Sequence, residues 1–146
     1  MHTDSSTEAA PELRPTLDSV QTVIRFLAPS FVALDREELH VLCLDADYGL
    51  IEHFHFPVTD DGECDARAII SAAIGAKGAV TVILAQNHLE GSAAAKSFEQ
   101  QFRAKLGRAL NTIGIKLRDH IVFGPERIWS LSENRTRRWP RRETLH

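Results

Sequence analysis

The stretch Ala79-Val80-Thr81-Val82-Ile83-Leu84-Ala85, followed at once by Gln86-Asn87-His88-Leu89-Glu90-Gly91, decides how this chain is interpreted. The first seven residues are mostly apolar and β-branched, which predicts a buried strand. The polar residues after Ala85 predict a loop at the end of that strand.

The segments before this strand predict a helix, a β-hairpin and a second helix. In order along the chain, they are a helical pattern from Val20 to Val32 interrupted at Pro29, a buried strand at 39–44, a hairpin turn at 45–49 and a returning strand at 50–58. Asp65 is a suitable N-cap for the second helix, which runs toward Gly78.

The segments after the motif predict one long helix and three short strands. The helix covers about 94–113, with Phe98, Phe102, Leu106, Ala109 and Leu110 on one face and Gly114 as its C-cap. The strands are predicted at 115–117, 121–123 and 128–131. This order of elements predicts an α/β fold with a mixed β-sheet flanked by helices.

Composition is that of an ordinary globular domain. The chain has 146 residues, of which 43% are hydrophobic and 25% charged, and a net charge of −3, which excludes a general attraction to nucleic acid or anionic membranes. No apolar run is long enough for a membrane span, the N-terminus is not a secretory signal, and two unpaired cysteines suit a cytoplasmic protein. We predict a disordered leader at 1–16, one domain at 17–131 and an arginine-rich tail at 132–146.

Several segments, taken in order along the chain, resemble the RadC-like branch of the JAB/MPN (JAMM-type) metalloprotease fold, whose architecture is cytidine-deaminase-like. Residues 37–45 are similar to the family's opening strand, and 65–70 to the segment before its first large helix. Residues 110–123, with Ile113-Gly114-Ile115-Lys116-Leu117 and Asp119-His120-Ile121-Val122, resemble its closing strands, as does Trp129-Ser130-Leu131. Where the family has His-Asn-His-Pro-Ser-Gly, this chain has Gln86-Asn87-His88-Leu89-Glu90-Gly91.

The resemblance implies a role for each candidate residue. Glu37 matches the general base, His88 the second metal-binding histidine, Gln86 the first, and Glu99 the aspartate that completes the zinc site. Lys96 stands where an oxyanion-stabilising serine is expected, and Ser97 points elsewhere on the helix. An active member would use zinc-bound hydroxide to hydrolyse a peptide or isopeptide bond.

The departures from the family motif predict weak or absent zinc binding. An amide oxygen is a poorer zinc ligand than imidazole, so Gln86 removes affinity, whereas Glu99 changes only the length of a carboxylate. We therefore predict a non-catalytic or weakly active module that binds a protein or peptide partner. The alternatives are a metal-dependent peptidase with Glu37 as base, and an accessory of DNA repair that binds nucleic acid.

Two other groups were weighed. His53 and His55 form a His-x-His pair on one face of a strand, which suits metal but is equally explained by polar alternation. The tail places Arg135, Arg137, Arg138, Trp139, Arg141 and Arg142 together. Arginine pairs with phosphate and tryptophan stacks on bases, so this tail is a candidate nucleic-acid contact. A flexible, solubilising terminus explains it as well.

Overall fold

The computed structural model describes residues 6–8, 14–59, 64–91 and 97–139, with the backbone alone for 6–8, 97 and 98. Its helices are α1 (Val20–Phe31), α2 (Ala66–Gly75) and α3 (Ser97–Thr112). Its strands are β1 (Ser6–Glu8), β2 (Glu38–Leu44), β3 (Leu50–Pro57), β4 (Thr81–Asn87), β5 (Lys116–Phe123), β6 (Arg127–Ser130) and β7 (Arg135–Arg138).

The seven strands form one sheet in the order β1-β3-β2-β4-β5-β6-β7. β4 and β5 pair in parallel, whereas the other neighbouring pairs are antiparallel. α3 makes the crossover between the two parallel strands, as parallel pairing requires. The mixed α/β sheet flanked by helices is confirmed and is consistent with the JAB/MPN architecture.

Each face of the sheet carries its own apolar core, because successive side chains of a strand point to opposite faces. On one face, Leu42 and Leu44 of β2 pack in the cluster that contains Leu27 of α1. On the other face, Leu39, Val41 and Cys43 pack in the cluster that contains Ile69 of α2 and Leu106 of α3. β2 and β4 are buried along their whole length, so both supply residues to both cores.

The predicted hairpin turn between β2 and β3 is confirmed. The Asp45 carboxylate accepts hydrogen bonds from the backbone N–H groups of Asp47 and Gly49, each at 2.9 Å. Tyr48 adopts a φ of 65°, in the left-handed region. Asp65 is also confirmed as the N-cap of α2, since its carboxylate accepts from two backbone N–H groups of the first turn.

Three predicted boundaries were wrong. Pro29 lies inside α1 rather than interrupting it, because in the last turn it removes only one backbone hydrogen bond. β4 starts at Thr81 and continues through Gln86 and Asn87, which stay in register with β5. The strands predicted at 115–117 and 121–123 are one strand, β5, since Asp119 and His120 keep the ladder while their side chains find polar partners.

The folded region also extends beyond the predicted domain at both ends. Ser6–Glu8 pair with β3, and the backbone carbonyl of Pro15, in the predicted leader, accepts a hydrogen bond from Leu50 N at 3.0 Å. β7 pairs with β6, and Trp139 is buried, so the sheet continues past residue 131. Among the described residues, no helix has the length and apolar character needed to cross a membrane.

Candidate functional site

Gln86 and His88 lie at the end of β4 on the sheet face covered by α3. The side-chain alternation of β4 places Gln86 on the same face as Leu84, which packs in the core beneath α3. From the first turn of α3, Glu99 reaches this point. Its Oε2 lies 2.5 Å from Gln86 Nε2 and 2.7 Å from His88 Nε2. The fold therefore brings the three predicted metal positions together.

The amide of Gln86 connects this group to a histidine of β5. His120 Nε2 lies 2.6 Å from Gln86 Oε1, and Arg103 Nη1 lies 3.3 Å from His120 Nδ1. An ionised carboxylate accepts only, so Glu99 requires the amide NH2 on its side and leaves the amide oxygen facing His120. Arg103 then donates a hydrogen bond to His120, and His120 donates one to Gln86. Gln86 and His88 each donate one to Glu99.

This donor order requires neutral His120 with its proton on Nε2. Burial, together with the nearby Arg103 charge, lowers the pKa of His120 to about 4, while Glu99 opposes the shift. His120 is 2% exposed. Burial also lowers the pKa of Arg103, again opposed by Glu99. Near neutral pH, His120 is therefore uncharged, with one donor and one acceptor nitrogen, as the network needs.

Glu37 and Asn87 fix the loop that follows β4. Leu89 N donates to Glu37 Oε2 at 3.2 Å, so the predicted general base contacts the residue next to His88. Asn87 lies between Gln86 and His88, accepts from Glu38 N at 2.8 Å and donates to the Arg36 carbonyl at 2.9 Å. The motif asparagine thus joins the ends of β2 and β4. Lys96, at the predicted oxyanion position, lies outside the described residues.

Zinc does not fit the side chains as they stand. Zinc bonds of about 2.0–2.1 Å at tetrahedral angles hold two ligand atoms roughly 3.3 Å apart. His88 Nε2 and Glu99 Oε2 are 2.7 Å apart and share a proton, and the Gln86 group facing them is an NH2, which has no lone pair to donate. Across the part of the chain that the structure describes, no three His, Cys, Asp or Glu side chains are arranged to hold a metal ion.

His120 is the site residue whose role sequence reasoning missed. The resemblance placed it only in the closing strands of the family, and its contact with Gln86 reveals its place in the network. Asp119 does have a structural role. Its carboxylate accepts from the Ser132 hydroxyl at 2.7 Å and from the Ser132 N–H at 3.0 Å, which fixes the turn after β6.

The His-x-His pair belongs to a second polar cluster, on the opposite face of the sheet. His40 Nδ1 lies 2.7 Å from His53 Nε2, and His40 Nε2 lies 3.1 Å from Glu38 Oε1. His55 is farther away, with Nδ1 4.0 Å from the same Glu38 oxygen. Burial lowers the pKa of His53 to about 4, with His40 and His55 adding to the shift. His40 therefore links His53 and Glu38 by hydrogen bonds on the face covered by α1.

The described part of the tail is folded. Arg135 and Arg137 pair with Glu133, while Arg138 is exposed on β7. Trp139 is 6% exposed, donates its indole N–H to the Gly124 carbonyl at 2.8 Å and packs edge-to-face on Phe123 at 5.0 Å. Its ring is therefore a core side chain and not a surface for base stacking. Arg141 and Arg142 lie outside the described residues.

Comparison with known proteins agrees with this geometry. The family model described as the RadC-like JAB domain matches residues 17–136. A UPF0758 protein of Symbiobacterium thermophilum is 31% identical over 129 residues, covering 85% of this chain and 53% of that protein. The UPF0758 protein YkfG of Escherichia coli is 30% identical over 118 residues, which cover 80% of this chain and 74% of that protein. A Leptothrix cholodnii UPF0758 protein is 33% identical over 123 residues, covering 82% and 54%.

The chain therefore spans about half the length of two of these relatives and about three quarters of the third. The match to the family model covers the helices α1 to α3 and the strands β2 to β6. It also includes the candidate site residues Glu37, Gln86, His88 and Glu99. The chain belongs to the RadC-like JAB domain family.

Proposed function

We propose that this RadC-like JAB domain is a binding module for a protein or peptide partner and does not hydrolyse peptide or isopeptide bonds. The observation that carries the proposal is the Gln86 amide, whose NH2 faces Glu99 and whose oxygen faces His120. The amide lies at the centre of the site, where hydrogen bonds to Glu99 and His120 hold it. The ligand positions that the family uses for zinc are thereby tied to one another.

The chemistry of the donor set supports the absence of catalysis. A hydrolase of this fold needs a polarising ion to generate hydroxide near neutral pH. Here, one imidazole is replaced by an amide, and His88 and Glu99 satisfy each other at 2.7 Å. Glu37 accepts from Leu89 N, so the expected base also serves to hold the loop.

The surface around the site supports peptide binding. The loop 89–91 directly follows His88 at the end of β4, so a peptide bound at the site would contact this loop. Leu89 is partly exposed and Glu90 is exposed, so the loop offers an apolar and an acidic contact. A protein that lost its metal chemistry can keep such a recognition surface, because the surface does not depend on the ion.

Hydrolysis assays with a matched pair of variants test the catalytic half of the proposal. The wild-type domain, Glu37→Gln and Asp47→Asn are incubated with zinc and a library of fluorogenic peptides and isopeptides. Asp47 is exposed in the hairpin turn at the other end of β2, so Asp47→Asn controls for a lost carboxylate away from the site. We expect no cleavage above the zinc-only rate in any of the three. Cleavage that Glu37→Gln abolishes and Asp47→Asn retains would overturn the proposal.

Selection of peptides from a random library tests the binding half. We expect peptides whose binding weakens at least about tenfold in Leu89→Asp but is unchanged in Gln101→Asp, a substitution on the exposed face of α3. Binding that is equally sensitive to both variants, or a library that yields no binder, would argue against a recognition surface at the loop.

A further inference from the structure

A groove between α3 and the start of β5 is lined by cationic residues. It has a volume of about 440 Å³, and its lining includes Arg103, Gly107, Arg108, Asn111, Lys116 and Leu117. This volume is in the range of small-molecule sites. None of the described lining residues is acidic, although the chain as a whole has a net charge of −3.

Helical spacing places the polar groups on one wall. Arg103, Gly107, Arg108 and Asn111 follow one another at intervals of four, one and three residues, so they share one side of α3. Gly107 adds no side chain there, and a Cβ at this position would lie 3.5 Å from Leu117 Cδ2. The helix therefore lies close to β5, where Lys116 and the apolar Leu117 complete the lining of the groove.

One of the two arginines is held in place from behind. Arg103 Nη1 donates to His120 Nδ1 at 3.3 Å, and His120 is 2% exposed. A guanidinium anchored by one N–H keeps its remaining N–H groups for other acceptors, and it loses less side-chain entropy when it binds. Arg108 and Lys116 are exposed at the rim of the groove.

We propose that the α3–β5 groove binds the phosphate group of a small phosphate ester. Three cationic residues and an amide, which line one groove together with the apolar Leu117, match a dianionic, tetrahedral head with an organic body. Arginine presents paired N–H donors that suit phosphate oxygens, and lysine adds a point charge. The site is separate from the proposed peptide surface at the loop 89–91, so the inference goes beyond the proposed function.

Titration with pyrophosphate, followed by ¹H–¹⁵N NMR at constant ionic strength, tests the inference. We expect saturable shifts of the backbone amides of residues 103–111 and 116–117. Arg108→Gln and Lys116→Gln should each weaken binding about tenfold, since each removes a charge-assisted hydrogen bond. Lys105→Gln is the matched control, because Lys105 is exposed on α3 but does not line the groove. It should change affinity less than about twofold.

Two results would overturn the groove as a site. One is the absence of saturable shifts at millimolar pyrophosphate. The other is an equal loss of affinity in Lys105→Gln and Arg108→Gln, which would indicate diffuse attraction to a basic helix face. Far-UV circular dichroism of each variant verifies that it is folded, and Lys116→Gln, on β5, provides a second test away from the helix.

A nucleic-acid backbone presents the same phosphate chemistry as a small ester. An oligothymidylate without terminal phosphate, titrated in the same way, separates the two sources. We expect weaker binding than that of pyrophosphate, because each phosphodiester carries one charge instead of two or more. Tighter, Arg108-dependent binding of the oligonucleotide would overturn the small-molecule assignment.

Discussion

Gln86→Ala should destabilise the domain strongly, because Gln86 connects two buried polar groups. Gln86 is 8% exposed, His120 2% and Glu99 7%. Without the amide, His120 Nε2–H loses its acceptor at 2.6 Å and Glu99 loses a donor at 2.5 Å. A buried donor left unsatisfied costs about 1–3 kcal/mol, and a hydrogen bond to a charged group contributes about 1.5–3 kcal/mol. The expected loss is about 3–5 kcal/mol.

Urea denaturation of the wild-type domain, Gln86→Ala and Gln101→Ala measures this loss. Gln101 is exposed on α3, so its replacement should change the free energy of unfolding by less than about 0.5 kcal/mol. A double-mutant cycle with His120→Ala adds a direct test of the contact. The double variant should lose at least about 0.5 kcal/mol less than the sum of the single variants. A loss below about 1 kcal/mol for Gln86→Ala, or strict additivity, would refute the network.

Three further predictions concern stability. Because the folded-state pKa of His120 is about 4, below the unfolded value of 6.5, its contribution is complete above pH 6.5. That contribution falls by about 2 kcal/mol by pH 5, because the unfolded chain binds a proton that the folded chain does not. Urea denaturation at pH 6.5 and pH 5 measures the free energy of unfolding, and an unchanged value would contradict the prediction. Trp139→Ala should cost about 3–5 kcal/mol in the same assay, whereas a flexible tail predicts no loss. Ser132→Ala should cost about 1–2 kcal/mol by removing the hydroxyl donor to Asp119, and exposed Ser71→Ala should be neutral.

Much of the fold was predictable because the sequence signals for its elements are local and follow one another along the chain. The hairpin at Asp45–Gly49, the Asp65 cap and the buried strand before Gln86 each have a short-range cause in side-chain chemistry. Strand boundaries were less predictable. The pairing of Asn87 with Phe123 depends on residues far apart in sequence, and so does the continuation of β5 through Asp119.

The site was only partly predictable. The family resemblance grouped Gln86, His88 and Glu99, but nothing in the local sequence indicates which way an amide points. That orientation is set by Glu99, which accepts from the amide NH2, and it leaves the amide oxygen facing His120, which is 34 residues away from Gln86 in the chain. Trp139 gives a similar lesson, because an aromatic residue among arginines suggested a stacking surface and tertiary packing placed it in the core instead.

Zinc affinity, measured by competition with a chelating dye, tests the central claim that the Gln86 amide closes the family's metal site. The wild-type domain, Gln86→His and Gln101→His are compared, and the last variant controls for an added surface histidine. We predict that wild type and Gln101→His bind no zinc at micromolar free ion, while Gln86→His binds one ion that His88→Ala removes. Stoichiometric micromolar binding by the wild-type domain, lost in His88→Ala, would contradict the account.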